Sequence, residues 1–399
     1  IYIFTMTTPK KLKELQLIVT DFFSNYDYSH IQDNTDEYKA LIEEIEIIYD
    51  HINNDKEVYS IIGELILQKV PIVQPFYIDS QLEAIRDQIV QLKTIKQPEQ
   101  RTPEWFTFRN NRLTASDLAT AINLNPYGNR NRLIASKCGF KDVFKPGPAI
   151  IHGVKFEPVA TFLYEKMNNT TIYEYGCVPH PKCPYFAASP DGICEYLDDN
   201  KQYSGRMLEI KCPKSRQLTG FVPQYYELQI QGQLEVCNLE YCDYLECVFK
   251  IYESFSEFME DSHPDNICLT KTNQYKGAIF ELYNHNKKSY EYKYAYTFEN
   301  KQALEKWEES ELEIIFDESH YDYIGTTYWY LETYDNILVK RDVKRFAEIK
   351  KDIDIFWNDV LKYREIGYTD LIKPKKPKTN ESPKDQYEPP NLNFLSDSD

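Results

Sequence analysis

Residues 207–211 read Met-Leu-Glu-Ile-Lys, an alternation that puts Met207, Glu209 and Lys211 on one face of a β-strand and Leu208 and Ile210 on the other. A carboxylate and an ammonium therefore share a face with no other residue between them. In a strand with buried neighbours, such charges are costly to desolvate unless partners are built around them. Asp191 stands eighteen residues before Glu209, inside Ser189-Pro190-Asp191-Gly192. With Pro second and Gly fourth, that tetrapeptide fits a type I turn. It reads either as an ordinary bend between strands or as the source of a third charge for the Glu209–Lys211 face.

The flanking segments predict an α/β unit. "RTPEWFTFRNNRLTASDLATAIN" reads as an irregular lead into a helix, with Thr114 or Ser116 as a candidate N-cap. "GVKFEPVATFLYEKM" carries an apolar stripe at Phe156, Val159, Ala160, Leu163 and Met167, with Glu157 beside it. "CVPHPKCPYFAAS", "ICEYL" and "RMLEIKC" are strand candidates. "PQYYELQIQGQLEVC" is a helix, and "EYCDYLECVFKIY" is read as the last strand of a small mixed sheet flanked by helices. Residues 99–250 form the expected core. Residues 1–98 read as a helical, acidic extension, from "LKELQLIVTDFF", "YKALIEEIEIIYDHI" and "QLEAIRDQIVQLKTI". Residues 251–372 read as a mixed extension that completes or flanks the core and ends in a long helix, "LVKRDVKRFAEIKKDIDIFWNDVLKYREI". Residues 373–399 are Pro-rich, charged and poor in apolar side chains, and disorder is expected there.

Charge narrows the partner class. The chain of 399 residues carries a formal net charge of −17, which argues against a protein that coats DNA uniformly. From Arg101 to Lys155, however, nine Lys and Arg stand against three acids. A local excess of that kind suits an anionic partner engaged on one face, or else a solvated set of helix charges. The nine cysteines include no CxxC pair and no zinc-type spacing, so reduced thiols are expected, with no iron–sulfur cluster. No apolar run is long enough to cross a bilayer. "IYIFTM" is short for a secretory leader and has no basic flank, and Met6 is a candidate start, so a cytoplasmic location is expected. No phosphate-binding Walker loop is present, so unwinding driven by ATP is not encoded here.

Hard-cation chemistry accounts for the acidic residues. Asp191, Glu209 and the carbonyl of Ile210 would make a partial shell for Mg²⁺, which prefers oxygen donors and keeps several waters. Glu157 could add a carboxylate through water. Lys211 beside that ion could orient or deprotonate a water. Gln231, which can donate and accept at once, could hold the same water; as one glutamine of a Gln-rich helix it reads equally well as a surface residue. His152 and His180 lie near the motifs and read as packed or surface histidines.

With these residues in view, "SPDG…LEIKCP" resembles the PD-(D/E)xK nuclease core. Four segments in order, "EWFTFRNNRLTASD", "GVKFEPVA", "SPDG…LEIKCP" and "QIQGQL", make residues 101–250 resemble the YqaJ-like viral recombinases, which are lambda-type alkaline exonucleases. The resemblance implies a restriction-endonuclease-like α/β fold and Mg²⁺-dependent cleavage of DNA, with Mn²⁺ able to substitute and one or two ions per site. It implies digestion of duplex DNA from a free 5′ end, leaving a 3′ single strand for recombination. Carried over by motif, Asp191 and Glu209 are metal ligands and Lys211 sits beside the attacking water. Glu157 is the helix carboxylate, Gln231 the site glutamine, and Arg109 and Ser116 hold the 5′-phosphate. A homo-oligomer, dimer or trimer, is implied too, with a separate helicase or single-strand annealing partner, in a viral replication compartment if the chain is viral. The extensions on both sides have no counterpart in the compact phage enzyme and put a ring-shaped trimer in doubt. An endonuclease or a CRISPR-adaptation-like nuclease of the same superfamily, and a catalytically silent DNA-binding scaffold, are the rival readings.

Overall fold

The computed structural model describes residues 77–98, 102–141, 146–197, 200–317 and 320–372. The two helices expected before residue 53 and the disordered tail expected at 373–399 lie outside the described residues.

The first described helix is α1 (Asp79–Thr94), which buries Leu82, Ile89 and Leu92. Next comes α2 (Pro103–Asn110), where an irregular lead was expected. Its start is well specified: the Thr102 hydroxyl accepts from the Trp105 amide at 3.2 Å, and Pro103 follows the cap. The short strand β1 (Leu113–Thr114) runs into a 3-10 turn (Ala115–Asp117) and the single-turn helix α3 (Leu118–Ala121). Thr114 precedes that turn, but its hydroxyl donates to the Asp117 carboxylate at 2.9 Å, so its side chain does not cap the helix. Helix α4 (Arg130–Lys137) begins at Asn129, whose side chain accepts from the Arg132 amide.

The central helix α5 (Pro148–Asn168) buries Phe156, Val159, Ala160, Leu163 and Tyr164 on one stripe. Then follow β2 (Ile172–Tyr173), β3 (Val178–Pro179), β4 (Phe186–Ala188), β5 (Gly192–Cys194) and β6 (Met207–Lys211). Helix α6 (Gln224–Cys237) connects β6 to β7 (Tyr241–Ile251), and these two strands pair in parallel, as a helical crossover permits.

The sheet does not end at β7. After α7 (Phe255–Glu260) come β8 (Lys276–Asn284), β9 (Ser289–Ala295), α8 (Lys301–Asp317), the 20-residue β10 (Tyr321–Lys340) and α9 (Val343–Ile366). The main sheet has seven strands in the order β2-β5-β6-β7-β10-β8-β9, and a second sheet of three has the order β1-β4-β3. Strand β10 joins the two halves of the large sheet: Trp329–Lys340 pairs with β7 and Tyr321–Tyr330 with β8, both antiparallel. The alternating Tyr290, Tyr292 and Tyr294 in β9, and the β-branched and aromatic residues of β10, are the sequence signal for these strands. The fold is thus mixed α/β, as expected, with a larger sheet than residues 99–250 alone would make.

The two faces of β6 go to different layers. Leu208, Ile210 and Cys212 pack with the α5 stripe, whereas Met207 joins the core built by α6, α9 and the small sheet. Gly232 lets α6 approach closely, because a Cβ there would stand 3.1 Å from both the Ala115 Cβ and the Phe186 ring. One buried ion pair fastens the layers. Arg206 donates to Asp243 at 2.8 Å, the Tyr164 hydroxyl donates to the other Asp243 oxygen at 2.6 Å, and all three side chains are buried. Asp243→Ala strands a buried guanidinium and is expected to destabilise the fold by about 3–5 kcal/mol in a denaturant titration; a loss below about 1 kcal/mol would mean the pair is solvated.

Candidate active site

The antiparallel register of β5 and β6 pairs Gly192 with Leu208 and Ile193 with Met207. Continued by one residue, it sets Asp191 opposite Glu209. The Ser-Pro-Asp-Gly stretch is a bend that carries the chain from β4 in the small sheet to β5 in the large one, and it brings Asp191 to the strand that carries Glu209. Asp191 Oδ2 accepts from the Ile210 amide at 2.6 Å, which ties the acid to that strand.

Glu209 is fully buried and its two oxygens have different partners. Oε1 accepts from Lys211 Nζ at 2.7 Å and from Gln229 Nε2 at 2.7 Å. Oε2 accepts from Gln233 Nε2 at 2.7 Å, and the same amide reaches the Ser189 carbonyl at 3.2 Å. Lys211 Nζ also stands 4.6 Å from the centre of the Tyr226 ring. Burial, then the charges of Glu209 and Glu157, push the Asp191 carboxyl well above the usual carboxylate range, against the opposing pull of Lys211 and the Ile210 amide. Asp191, Glu209, Glu157 and Lys211 thus form one electrostatic unit. Three acids against one lysine leave it short of positive charge.

That shortage, with a donor set of carboxylates and a backbone carbonyl, fits a hard divalent cation. Among the described residues no three His, Cys, Asp or Glu converge tightly enough to hold a metal ion by themselves. An ion held there would need further oxygen ligands beyond these side chains.

The structure corrects the placement of one expected site residue. Gln231 does not reach the cluster. Its Oε1 accepts from the Asp342 amide at 2.7 Å and its Nε2 donates to the Lys340 carbonyl at 2.9 Å, so it fastens the junction of β10 and α9. Helix phase is the reason. Residues 229 and 233 lie one turn apart on a single face, and residue 231 is turned roughly 200° away from 229. Glu235, one turn beyond Gln231, likewise faces that junction, 2.6 Å from Arg341. The motif reading took the middle glutamine, and the structure puts the outer two on Glu209. Gln229→Ala and Gln233→Ala each remove a hydrogen bond from the buried Glu209 carboxylate, and each is expected to slow any reaction that uses this carboxylate about 10–100-fold. Gln231→Ala is expected to leave the rate near wild type and to lower stability by about 1–2 kcal/mol. Steady-state rates and urea melts of the three variants check this.

Arg109 and Ser116 do come together, at 3.2 Å between Nη2 and Oγ. Arg109 is buried against Trp105, with its guanidinium carbon 4.4 Å from the ring centre. Two further polar groups, not given a role by the motif, join this cluster. Thr114 Oγ1 lies 3.5 Å from the same Arg109 nitrogen, and Lys137 Nζ bridges Asp117 Oδ2 at 2.9 Å and the Arg109 carbonyl at 3.3 Å. The two cations outnumber Asp117. Strand pairing connects this basic cluster to the acidic one: Thr114 faces Ala187 across parallel β1 and β4, and the chain runs from β4 through Ser189 and Pro190 to Asp191. The histidines are packed residues. His180 Nδ1 accepts from the Lys182 and Cys183 amides, and His152 lies against Phe156 with ring centres 4.5 Å apart. The nine cysteines are all free.

Fold and site together define a mixed α/β domain that gathers one buried and two half-buried carboxylates near Lys211, beside a basic cluster next to its small sheet. Residues 104–240 match the YqaJ-like viral recombinase domain, the family that the motifs resemble. An uncharacterized protein of Acanthamoeba polyphaga mimivirus is 33% identical over 299 residues, covering 69% of this chain and 54% of the viral protein. A protein of African swine fever virus is 28% identical over 201 residues, covering 43% of this chain and 58% of its own length. The chain thus spans about half the length of these relatives. Among solved structures it is similar to an alkaline exonuclease from Laribacter hongkongensis, at 18% identity and a TM-score of 0.39 over 66% of this chain and 95% of the other. It is also similar to a phage-related exonuclease from Haemophilus somnus 129PT, at 10% identity and a TM-score of 0.34 over 65% and 96% of the two chains. Among the described residues no helix is long and apolar enough to cross a membrane.

Proposed function

We propose that the chain is a Mg²⁺-dependent deoxyribonuclease that digests double-stranded DNA from a 5′ end and leaves 3′ single strands for recombination. The observation that carries this reading is the bond from the Ile210 amide to Asp191, with Lys211 on the Glu209 carboxylate of the same strand, inside the segment that matches a viral recombinase domain. When bound, a divalent ion would neutralise charge developing on the phosphate in the transition state.

The chain's own residues supply the rest. Asp191, Glu209 and the Ile210 carbonyl would hold the ion, with Glu157 nearby through water. Gln229 and Gln233 fix the Glu209 carboxylate, so that no reorganisation is needed during reaction. Lys211 donates to the attacking water and sets its direction. Arg109 and Ser116, with Thr114 and Lys137 behind them, receive the terminal 5′-phosphate. A guanidinium already buried and aligned is well suited to a phosphate. DNA with a free end is the substrate on this reading, and a homo-oligomer would keep the enzyme on its strand.

An end-labelled linear duplex tests the direction and the end requirement. With Mg²⁺, release of labelled mononucleotide from a 5′-phosphorylated end is expected, with slower release from a 5′-hydroxyl end and none from a closed circle. Cutting of the circle would establish an endonuclease instead. Arg109→Ala should remove the preference for the 5′-phosphate.

A further inference from the structure

Tyr127 has the highest exposure of any large hydrophobic side chain among the described residues, at 73%. A lone exposed aromatic is unremarkable on a protein surface. Tyr127 differs in what stands behind it. Its ring meets Tyr225 edge-on at 6.0 Å, Tyr225 lies 4.4 Å from Tyr226, and Lys211 Nζ sits 4.6 Å over the Tyr226 ring. An unbroken file of rings therefore leads from solvent to the lysine at the centre of the acidic cluster. Arg216, paired with the buried Glu246, is within electrostatic reach of Tyr225.

The turn that presents Tyr127 is pinned. The Tyr127 amide donates to Asn125 Oδ1 at 2.9 Å, and Asn125 Nδ2 donates to Thr120 Oγ1 at 3.0 Å. Gly128 passes so close to Thr120 that a Cβ would stand 2.3 Å from its hydroxyl. Arg130 is anchored to the Ala121 carbonyl and to Asp359. The ring is thus held out on a rigid turn at the rim of the site, where its loss of conformational freedom on binding is small.

We propose that Tyr127, backed by Tyr225, is a stacking platform for a nucleobase within a few nucleotides of the scissile phosphate, making it a substrate-positioning residue. A strand whose phosphate lies at Lys211 must carry bases past this rim. A π face with a cation nearby is the chemistry that holds bases without regard to sequence. The inference rests on the nuclease reading for its placement of the phosphate, and its test can be separated from that reading.

The probe is a short duplex with 2-aminopurine at one of its terminal positions, bound to the full chain in EDTA, where cleavage cannot interfere. The wild type and Tyr127→Phe are expected to quench the fluorophore and Tyr127→Ala is not. In Mg²⁺, Tyr127→Ala is expected to raise KM about tenfold, within the range for losing one base stack, with the loss in KM rather than in kcat. Quenching by Tyr127→Ala equal to that of wild type at every position, with an unchanged KM, overturns the inference, as does a wild type that binds without quenching. If the wild type quenches but does not cut DNA in Mg²⁺, the stacking site stands and the nuclease reading fails.

Discussion

Replacing Lys211 by alanine is expected to reduce DNA cleavage by about 10²–10⁴-fold or more, the range for removing a proton-transfer or water-orienting group, while the affinity for duplex DNA changes little. The ammonium has two roles. It contacts the Glu209 carboxylate at 2.7 Å, and its charge offsets part of the upward push on the Asp191 carboxyl. On the proposed function, DNA affinity would rest instead on the cations around Arg109 and on contacts to backbone phosphates. Filter binding in EDTA and single-turnover cleavage in Mg²⁺ separate the two quantities. Removing Lys211 also leaves the buried Glu209 less well compensated, so a thermal melt must accompany the assay to show that the variant is folded. A folded variant that cuts at the wild-type rate would remove Lys211 from the reaction.

The second large effect has an unusual sign. Asp191→Asn is expected to abolish cleavage and, without divalent cation, to stabilise the fold. Asparagine keeps an oxygen for the Ile210 amide but removes a charge that burial, Glu209 and Glu157 all oppose. An acid whose folded pKa is raised contributes stability that is fully present below its unfolded value, near 3.8, and is lost as pH rises through the raised folded value. In EDTA the wild type should therefore lose stability as pH climbs through that window, and the asparagine variant should lose less. At neutral to alkaline pH the variant should melt at a higher temperature than the wild type. Mg²⁺ should stabilise the wild type by mass action and leave the variant nearly unmoved. A variant less stable than wild type under these conditions would mean that Asp191 is held by attractions the cluster does not display.

How much of this was legible in the sequence depends on how local each signal is. Asp191, Glu209 and Lys211 were readable because a turn tetrapeptide and a period-two strand fix their geometry within a few residues. Arg109 and Ser116 were readable as a motif; Thr114, beside them, was read only as a candidate cap, and Lys137 enters through a contact distant in sequence. Gln231 was misplaced because three glutamines stand at alternate positions on one helix, and sequence alone does not say which side of α6 faces β6. The packing settles it: Gly232 approaches Ala115 and Phe186, and the 229–233 face turns toward Glu209. The large sheet was only half read. Strands β8, β9 and β10 are rich in tyrosine and charge, and their pairing partners lie far along the chain. Their alternation was present, but a hydrophobic face was hard to distinguish where tyrosine serves both sides. The charged helix α8 escaped for a related reason, since its pattern is dominated by glutamate and lysine.

The most direct test is cleavage of a 5′-phosphorylated linear duplex by wild type, Asp191→Asn and Glu209→Gln, each with Mg²⁺ and with EDTA. The expected result is mononucleotide release by the wild type in Mg²⁺ alone and none by either folded variant. Equal cleavage in EDTA, or a variant that cuts at the wild-type rate, would show that the carboxylates facing each other across β5 and β6 do not hold the ion that cleaves DNA.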